Sequence, residues 1–445
     1  RGFGGGSRTI EILINGKRTD GKNNSTDRQL SRIPSEQVNR IEIIRGTSGE
    51  LDVRGSGQVI NVVLNEQFTE SSLQYAIGAE QSPDNTVRPR AELFYSGQTG
   101  GLNFQASAMR YDPYFYTSSR EYSILGDFSP NDRVLEVRKR DPQGGGISTN
   151  LDYEINSNSS ARLNASWTDG THTSETVRKT TDFKVSPNID TFQLETSPGI
   201  YGNWEIGGDY EFNTQAGNRW KILFISNALE SANTRERYDV LSETSKEKNL
   251  FLDSWSNTKE RIVRGSYTFD LFESQDIEVG AERAQTILDS KLALGLSGVT
   301  GTPSQSVGGL ISMPVSNANS TVEEMRYEPF LIHNWIISQD MSLETSVLYE
   351  DSEIMQRGDV SKERDFDFVK PKVDFRYDLT PQLQLRGTIE KVVEQLTFND
   401  FVAATDDQDE DSNVQAGNTD LRQEWYWNYE INSEYRLPND IGVVS

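Results

Sequence analysis

The sequence contains no cysteine and only two histidines, His172 and His333, among its 445 residues. A disulfide framework, a thiolate metal site and a cysteine nucleophile are therefore excluded. The two histidines lie far apart and match no metal-ligand spacing. No serine occupies a G-x-S-x-G elbow, and the triple glycines at 4–6 and 144–146 lack the context of a dinucleotide site. The sequence thus gives no support to an enzyme, a catalytic residue or a bound cofactor.

Positive charge is also scarce. The chain has 44 basic against 68 acidic residues and a formal net charge of -24. A nucleic-acid partner requires a basic face that displaces counterions. This balance argues against nucleic-acid binding.

Long hydrophobic runs are missing as well. Hydrophobic residues make up 34% of the chain, and no run of about eighteen apolar residues exists that could form a transmembrane helix. The longest charge-free stretch, 292–322, is rich in Gly, Ser, Pro, Thr and Asn and predicts a loop. An aromatic share of 10% nevertheless argues against disorder. The chain has no signal peptide, and its abrupt ends suggest that both termini are missing.

What the sequence does contain, from residue 70 onward, is a two-residue period. In ARLNASWTD, residues 161–169, the apolar Ala161, Leu163, Ala165 and Trp167 alternate with polar residues, as on the two faces of a strand. EWYWNYEINSEYRL (424–437) and VKPKVDFRYDL (369–379) repeat the pattern. A soluble sheet with one solvated face is the simplest interpretation of any single strand. These runs of about ten to fourteen residues, however, exceed the usual five or six and suit a tilted membrane-crossing strand.

The connections between strands fall into two classes. Short turns alternate with longer insertions at 113–144, 170–201, 231–256, 290–321 and 394–423, a pattern typical of outer-membrane barrels. A propeller or a tandem sandwich would not sort its loops in this way. The fourteen predicted strands are 70–80, 86–96, 101–112, 145–156, 159–169, 202–213, 218–230, 257–272, 276–289, 322–337, 341–354, 366–379, 381–393 and 424–437. The aromatic residues Trp167, Trp204, Trp425 and Trp427 would then face lipid.

Residues 1–67 have a different organisation. TIEILINGKR, IPSEQVNRIEIIRG and GQVINVVLN follow one another in order, and this succession closely resembles the plug domain of TonB-dependent outer-membrane receptors. AGNTDLRQEWYWNYEINSEYRL, at 416–437, is similar to a second motif of that family, which precedes a barrel strand. The glycine-rich segment departs from the family pattern, because Thr47 replaces the usual proline of RGP.

The resemblance implies an all-β transmembrane barrel, 22-stranded in the family and incomplete here, with a small α+β plug domain inside the lumen. Residues 1–67 would be the second half of the plug and residues 68–445 the first part of the barrel. The implied function is active import of a scarce extracellular ligand into the periplasm, without enzyme chemistry. The main alternative is a passive porin or a surface-adhesion β-protein, which would need no inserted domain.

The resemblance also implies site residues. Family plug arginines pair with barrel glutamates, which predicts a lock between plug and barrel formed by Arg1, Arg45, Glu282 and Glu434. Ligand is expected at the plug's outward loops, with Arg18, Asp20, Lys22, Asn23, Asn24 and Arg54 as candidates, and at the long barrel loops. The alternative for Arg45 is an ordinary residue at the end of a surface strand.

One further segment could hold a metal. Residues 406–411 contain five acids, and Asp406, Asp407, Asp409 and Asp411 could supply hard oxygen ligands to calcium. A solvated acidic loop is the favoured interpretation.

The partners implied by the resemblance are TonB, reached through an N-terminal box that is missing from this chain, and a small ligand. Outer-membrane lipid or lipopolysaccharide and an accessory surface lipoprotein are further expected partners of a monomeric barrel. The residues alone leave an iron chelate, cobalamin, a glycan and a peptide open as ligand.

Overall fold

The computed structural model describes residues 11–14, 17–18, 38–45, 58–64, 71–405, 414–437 and 442–444. Within these ranges the chain is almost entirely β-strand, apart from two 3₁₀ turns at Gln305–Val307 and Phe398–Phe401. None of the described residues forms a helix long and apolar enough to cross a membrane.

The strands fall into a small N-terminal sheet, a large sheet and one isolated pair. The small sheet contains β1 (Glu11–Ile14), β2 (Lys17–Arg18), β3 (Val38–Arg45) and β4 (Gln58–Leu64). The large sheet contains β5 (Ser72–Gln81), β6 (Val87–Thr99), β7 (Leu102–Tyr111), β8 (Phe115–Ile124), β9 (Pro130–Arg140), β10 (Gln143–Asn156), β11 (Ser159–Asp182), β12 (Ile189–Asn213), β13 (Arg219–Ser242), β14 (Ser245–Phe272), β15 (Gln275–Leu296), β16 (Pro303–Ser304), β17 (Leu310–Met313), β18 (Asn319–Ser338), β19 (Met341–Gly358), β20 (Lys362–Asp378), β21 (Leu383–Val393), β24 (Trp425–Arg436) and β25 (Val443–Val444). The pair is β22 (Ala404–Thr405) with β23 (Val414–Gln415).

The small sheet has the order β2-β1-β4-β3. β1 and β4 are parallel, and β3 is antiparallel to β4 with Ile43 opposite Ile60. The apolar runs EILI, IEII and VINVV supply these strands, and Val62 is buried at 4% exposure. These runs of the plug-like region thus pair into one sheet.

All fourteen strands predicted beyond residue 70 are present in the large sheet. Consecutive long strands pair antiparallel, β7 pairs with β10, and β25 lies between β24 and β5. The strand order therefore closes on itself. This topology is a β-barrel, as the two-residue period predicted.

The two faces of the large sheet differ in chemistry. One face carries exposed apolar and aromatic side chains, including Trp167 and Trp204, which lie directly opposite each other on β11 and β12. The other face carries buried charges such as Glu205, Glu282 and Asp374. We call these the outer and inner faces. Trp425 and Trp427 are also exposed on the outer face.

The predicted boundaries of the long connections are wrong for much of the barrel. β11 continues to Asp182 and β12 begins at Ile189, so most of 170–201 is strand. Residues 231–256 form a hairpin that turns between β13 and β14, and 113–144 contains the β8–β9 hairpin. In 290–321, β15 extends to Leu296 and is followed by β16 and β17. In these extensions backbone pairing continues although the alternation of apolar and polar residues ends, so the sequence pattern does not reveal the strand.

Candidate functional site at the inner wall

A cluster of charged side chains occupies the inner face of β14, β15 and β18 to β20. Residues on one face of a strand alternate, so Glu324, Arg326 and Glu328 of β18 all point inward. The antiparallel register places Glu282 opposite Glu328. We define the inner-wall charge cluster as Arg264, Glu282, Glu324, Arg326, Glu328, Glu350 and Lys370.

The arginines of this cluster bridge three strands. Arg326 Nη2 lies 3.4 Å from Glu282 Oε1, and Arg326 Nε lies 3.4 Å from Glu328 Oε2. Arg264 Nη1 lies 3.7 Å from Glu282 Oε2, and its guanidinium stands over the Phe330 ring at 4.2 Å. Buried guanidinium groups need such carboxylate partners.

Lys370 extends the cluster to β19 and β20. Its Nζ lies 2.8 Å from Glu350 Oε2 and also bonds Glu328. Glu350 is fully buried, and its other oxygen accepts a hydrogen bond from Gln423 Nε2 at 3.0 Å. The cluster therefore reaches from the barrel wall to the segment that precedes β24.

The cluster contains four carboxylates and three cations. Glu282, Glu324, Glu328 and Glu350 are all less than 10% exposed, as are Arg264 and Arg326. Buried charges of this kind are stabilised by partners of opposite sign, so the cluster depends on its ion pairs.

The described parts of the segment between β21 and β24, residues 394–405 and 414–424, lie against this same face, and we call them the inner strap. Phe401 and Val402 of the strap pack with Leu288, Val322 and Ile354 of β15, β18 and β19. Ala403 packs with an adjoining group formed by Leu252, Leu292 and Ala318. The strap thus covers an apolar area of the inner wall.

Polar contacts fix the strap at several points. Gln356 Nε2 donates to the Phe401 carbonyl at 3.2 Å, and Asn317 Nδ2 donates to the Gly417 carbonyl at 2.8 Å. Asp420 pairs with Lys362 and with Arg364, the latter at 3.2 Å. Hydrogen bonds from Lys362 lower the pKa of Asp420, and the Arg364 charge adds to this effect. The described part of the strap is therefore docked by both apolar and charged contacts.

A second ion pair stabilises the extended hairpin of β13 and β14. Lys248 Nζ lies 2.5 Å from Glu236 Oε1 and donates to the Gly308 carbonyl at 3.3 Å. Tyr238 Oη donates to Glu236 Oε2 at 2.6 Å. Burial opposes ionisation of Glu236, but the bonds from Lys248 and Tyr238 outweigh it and lower its pKa. This pair attaches the 3₁₀ turn at 305–307 to the hairpin.

The predicted lock residues are only partly within the described structure. Glu282 lies on the inner face, where it contacts the barrel residues Arg264 and Arg326. Glu434 lies on the same face opposite Gln384, 3.5 Å from Arg436. Arg45 ends β3, but its side chain and all of Arg1 lie outside the described residues.

Most of the predicted ligand and calcium residues also fall outside the described ranges. These are Asp20, Lys22, Asn23, Asn24, Arg54, Asp406, Asp407, Asp409 and Asp411. The backbone of Arg18 belongs to β2, but its side chain is not among those that the structure describes. Among the described side chains, no group of three or more His, Asp or Glu residues could hold a metal ion.

Sequence reasoning did not find the inner strap or the inner-wall charge cluster. The signals were present: LTFNDFVAA (396–404) is an apolar run inside a polar connection, and EEMRYE (323–328) alternates charge sign at every second residue. Both predict burial on an inner face only once that face is known.

An all-β barrel with an apolar aromatic outer face and a charged inner wall, preceded by a small mixed sheet, defines a membrane-crossing barrel protein. Comparison with protein families shows that residues 1–59 match the TonB-dependent receptor plug domain. A comparison with curated proteins finds no match to the sequence.

Two solved structures show the same fold. The copper transporter OprC superposes with a TM-score of 0.52 at 11% identity, covering 96% of this chain and 62% of OprC. The Serratia marcescens hemophore receptor HasR, solved with its hemophore HasA and heme, gives a TM-score of 0.51 at 10% identity over 97% of this chain and 62% of HasR. The present chain thus spans somewhat under two thirds of the length of each.

The plug match covers residues 1–59 of the chain, and the barrel has the fold of these two solved structures. The location of this chain is the bacterial outer membrane, where barrels of this type occur.

Proposed function

We propose that the protein is an active outer-membrane transporter that captures a scarce extracellular ligand and releases it to the periplasm when TonB pulls on the plug. The observation that carries this proposal is the plug domain at residues 1–59, joined to a barrel whose inner wall is charged. A passive pore or an adhesin has no use for an inserted domain of this kind.

In this proposal residues 1–67 belong to a plug held inside the lumen. The inner-wall charge cluster supports such an arrangement, because buried carboxylates such as Glu282 are groups that can pair with a guanidinium. Arg45, at the end of β3, and Arg1 are the proposed donors, with Glu282 and Glu434 as their acceptors. Cross-linking between cysteines placed in β3 and on the inner face of β15 tests the arrangement in full-length protein, and failure of every such pair would oppose it.

Ligand would bind between the plug loops, near 16–32 and 47–57, and the barrel end that carries the long connections. We call this the long-loop end and assign it to the cell exterior. At that end, the inner strap packs on the inner wall of the barrel. A ligand that passes toward the plug would therefore pass the strap.

Uptake by a deletion strain that carries the full-length gene tests the function. Growth should be restored on one member of a panel of iron, copper, heme, cobalamin, glycan and peptide sources, and restoration should be lost when TonB is deleted. Ligand binding to cells should persist without TonB, since binding precedes the energised step. Uptake that continues at the same rate without TonB would instead support the passive-pore alternative.

A further inference from the structure

Three glycines of the barrel wall lie directly beneath aromatic side chains. A Cβ built on Gly170 of β11 would lie 2.5 Å from Cζ of Tyr201, and one built on Gly144 of β10 would meet the hydroxyl oxygen of the same tyrosine. A Cβ built on Gly199 of β12 would meet the imidazole ring of His172. Each glycine therefore makes room for a ring, because any other residue would place an atom where the ring lies. The Tyr201 side chain thus lies along the wall, across β11 and onto β10.

Tyr201 and His172 both belong to the inner face of the barrel. Tyr201 is four residues from the buried Glu205 on β12, and His172 is four residues from the buried Thr176 on β11. An even spacing keeps side chains on one face of a strand. In the register of β11 and β12 the two rings occupy adjacent rows, and both are partly exposed. Together they present aromatic surface to the lumen.

The wall around these rings is uncharged. Across β11 to β14, which the structure describes in full, the rows of Tyr201 and His172 and the next row toward the short turns carry hydroxyl and amide side chains, glycines and one leucine. We call these rows the uncharged belt, and its other side chains are Thr168, Asn203, Leu229, Ser231, Asn233, Ser254, Ser256 and Thr258. Charged residues return at Glu205 on the short-turn side and at Arg235 on the long-loop side.

This set of groups has the chemistry that recognises a sugar. The carbon-bound hydrogens on the flat side of a sugar ring are attracted to the negative face of an aromatic ring. Sugar hydroxyls both donate and accept hydrogen bonds, as serine, threonine and asparagine side chains do. A ligand that carries carboxylates would meet no arginine or lysine within the belt rows of β11 to β14. The belt therefore favours an uncharged, hydroxyl-rich ligand.

We propose that Tyr201, His172 and the uncharged belt form a subsite for a neutral oligosaccharide inside the barrel. One sugar ring would stack on Tyr201, and Ser231 and Asn233 would bond its hydroxyls. This inference rests on the proposed transport function and narrows the ligand to a neutral glycan. It also gives a role to His172 and to the triple glycine at 144–146, in which Gly144 makes room for the tyrosine.

The test is calorimetric titration of the full-length receptor in detergent, without TonB, with neutral hexasaccharides built from glucose, xylose or mannose. Wild type should bind at least one of them. Tyr201→Ala should raise the Kd for that sugar about tenfold or more, whereas Tyr201→Phe and His172→Phe, which keep a ring, should stay within about threefold of wild type. Tyr349→Ala is the matched control, because Tyr349 is exposed on the outer face of β19, and it should leave the Kd unchanged.

Each variant should keep the heat-sensitive gel mobility of a folded barrel, so that lost binding is not lost folding. Failure of folded wild type to bind any of the sugars would overturn the subsite, and so would a Tyr201→Phe variant as weak as Tyr201→Ala. TonB-dependent uptake of another kind of ligand, without sugar binding, would overturn the subsite and leave the transport function in place. Sugar binding that depends on Tyr201, combined with uptake that does not need TonB, would support the subsite and contradict the energised transport.

Discussion

At the scale of single residues, the inner wall is organised around fully buried carboxylates. Glu350 bonds Lys370 and Gln423, and Asp374 accepts hydrogen bonds from Arg386 and Thr388, each at 2.8 Å. Such groups contribute little net stability as pairs, but each becomes costly when its partner is removed. The wall is therefore sensitive to single charge deletions.

Arg45 is the residue at which the plug proposal is tested most directly. If its guanidinium pairs with a barrel carboxylate out of bulk water, Arg45→Ala should cost about 3 to 5 kcal/mol, because the other charge is left buried without its partner. We expect a receptor that admits large antibiotics or imports ligand more slowly, with nearly unchanged ligand affinity. Affinity, uptake rate and antibiotic entry are the measurements. Wild-type behaviour in all three would make Arg45 an ordinary strand-end residue.

The Glu236–Lys248 pair predicts an acid-sensitive contact. The pKa of Glu236 is lowered in the folded protein, so its stabilising effect is present above the ordinary glutamate pKa and is lost as pH falls through the lowered value. Hydrogen exchange at Gly308–Met313, corrected for intrinsic rates, should therefore become faster relative to neutral pH as the pH falls below the ordinary glutamate range.

The matched variant for this prediction is Glu236→Gln, which keeps the shape of the side chain and removes its titration. Its corrected exchange at Gly308–Met313 should not change over the same acidic range. An equal acid response in wild type and variant would assign the effect to other carboxylates.

At the scale of elements, the inner strap, described at 394–405 and 414–424, differs from the other long connections. The β11–β12 and β13–β14 connections continue as paired strands, whereas the strap turns inward and buries Phe401 at 1% exposure. Its stability therefore depends on side-chain packing rather than on a strand ladder. This makes the strap an element that can be loosened without unfolding the barrel.

Phe401→Ala should loosen the strap locally. Removing a buried phenylalanine costs about 3 to 5 kcal/mol, and here the cost falls on the contact with Leu288, Val322 and Ile354. We expect faster hydrogen exchange over 398–404, while the barrel strands keep their protection. Phe115→Ala, at an exposed position on β8, is the control and should change neither. Unchanged hydrogen exchange over 398–404 would show that the polar contacts of the strap are sufficient to hold it on the wall.

At the scale of the whole molecule, the outer face should be covered by lipid. The chain has no cysteine, so single cysteines at Trp167, Trp204, Trp425 and Trp427 can each carry one spin label without further changes. Lipid-soluble quenchers should reach these labels better than aqueous ones. A label at Leu241, exposed beside the β13–β14 turn, should respond in the opposite way. Aqueous access at the tryptophan positions would contradict the assignment of the two faces.

The family match and the fold likeness rest on different parts of the chain. The plug match covers residues 1–59, and the structural likeness is dominated by the barrel. An identity of about a tenth leaves ligand choice to be established by uptake experiments.

Local sequence determined which residues form strands and which face each side chain occupies. The reason is physical: alternation of apolar and polar residues is a property of neighbouring positions, so ARLNASWTD or EWYWNYEINSEYRL specifies its own two faces. The motif succession at 9–65 likewise predicts a plug-like region, and its described strands form one small sheet.

Tertiary structure decided what lies against the inner face and where the strands end. Backbone pairing beyond the apolar zone depends on the neighbouring strand, so β11 and β12 could extend through a region whose sequence looks like a loop. The approach of Phe401 to Val322 and of Gln423 to Glu350 joins residues far apart in the chain. No local pattern encodes such contacts, because they follow from which wall the closed barrel presents to the strap.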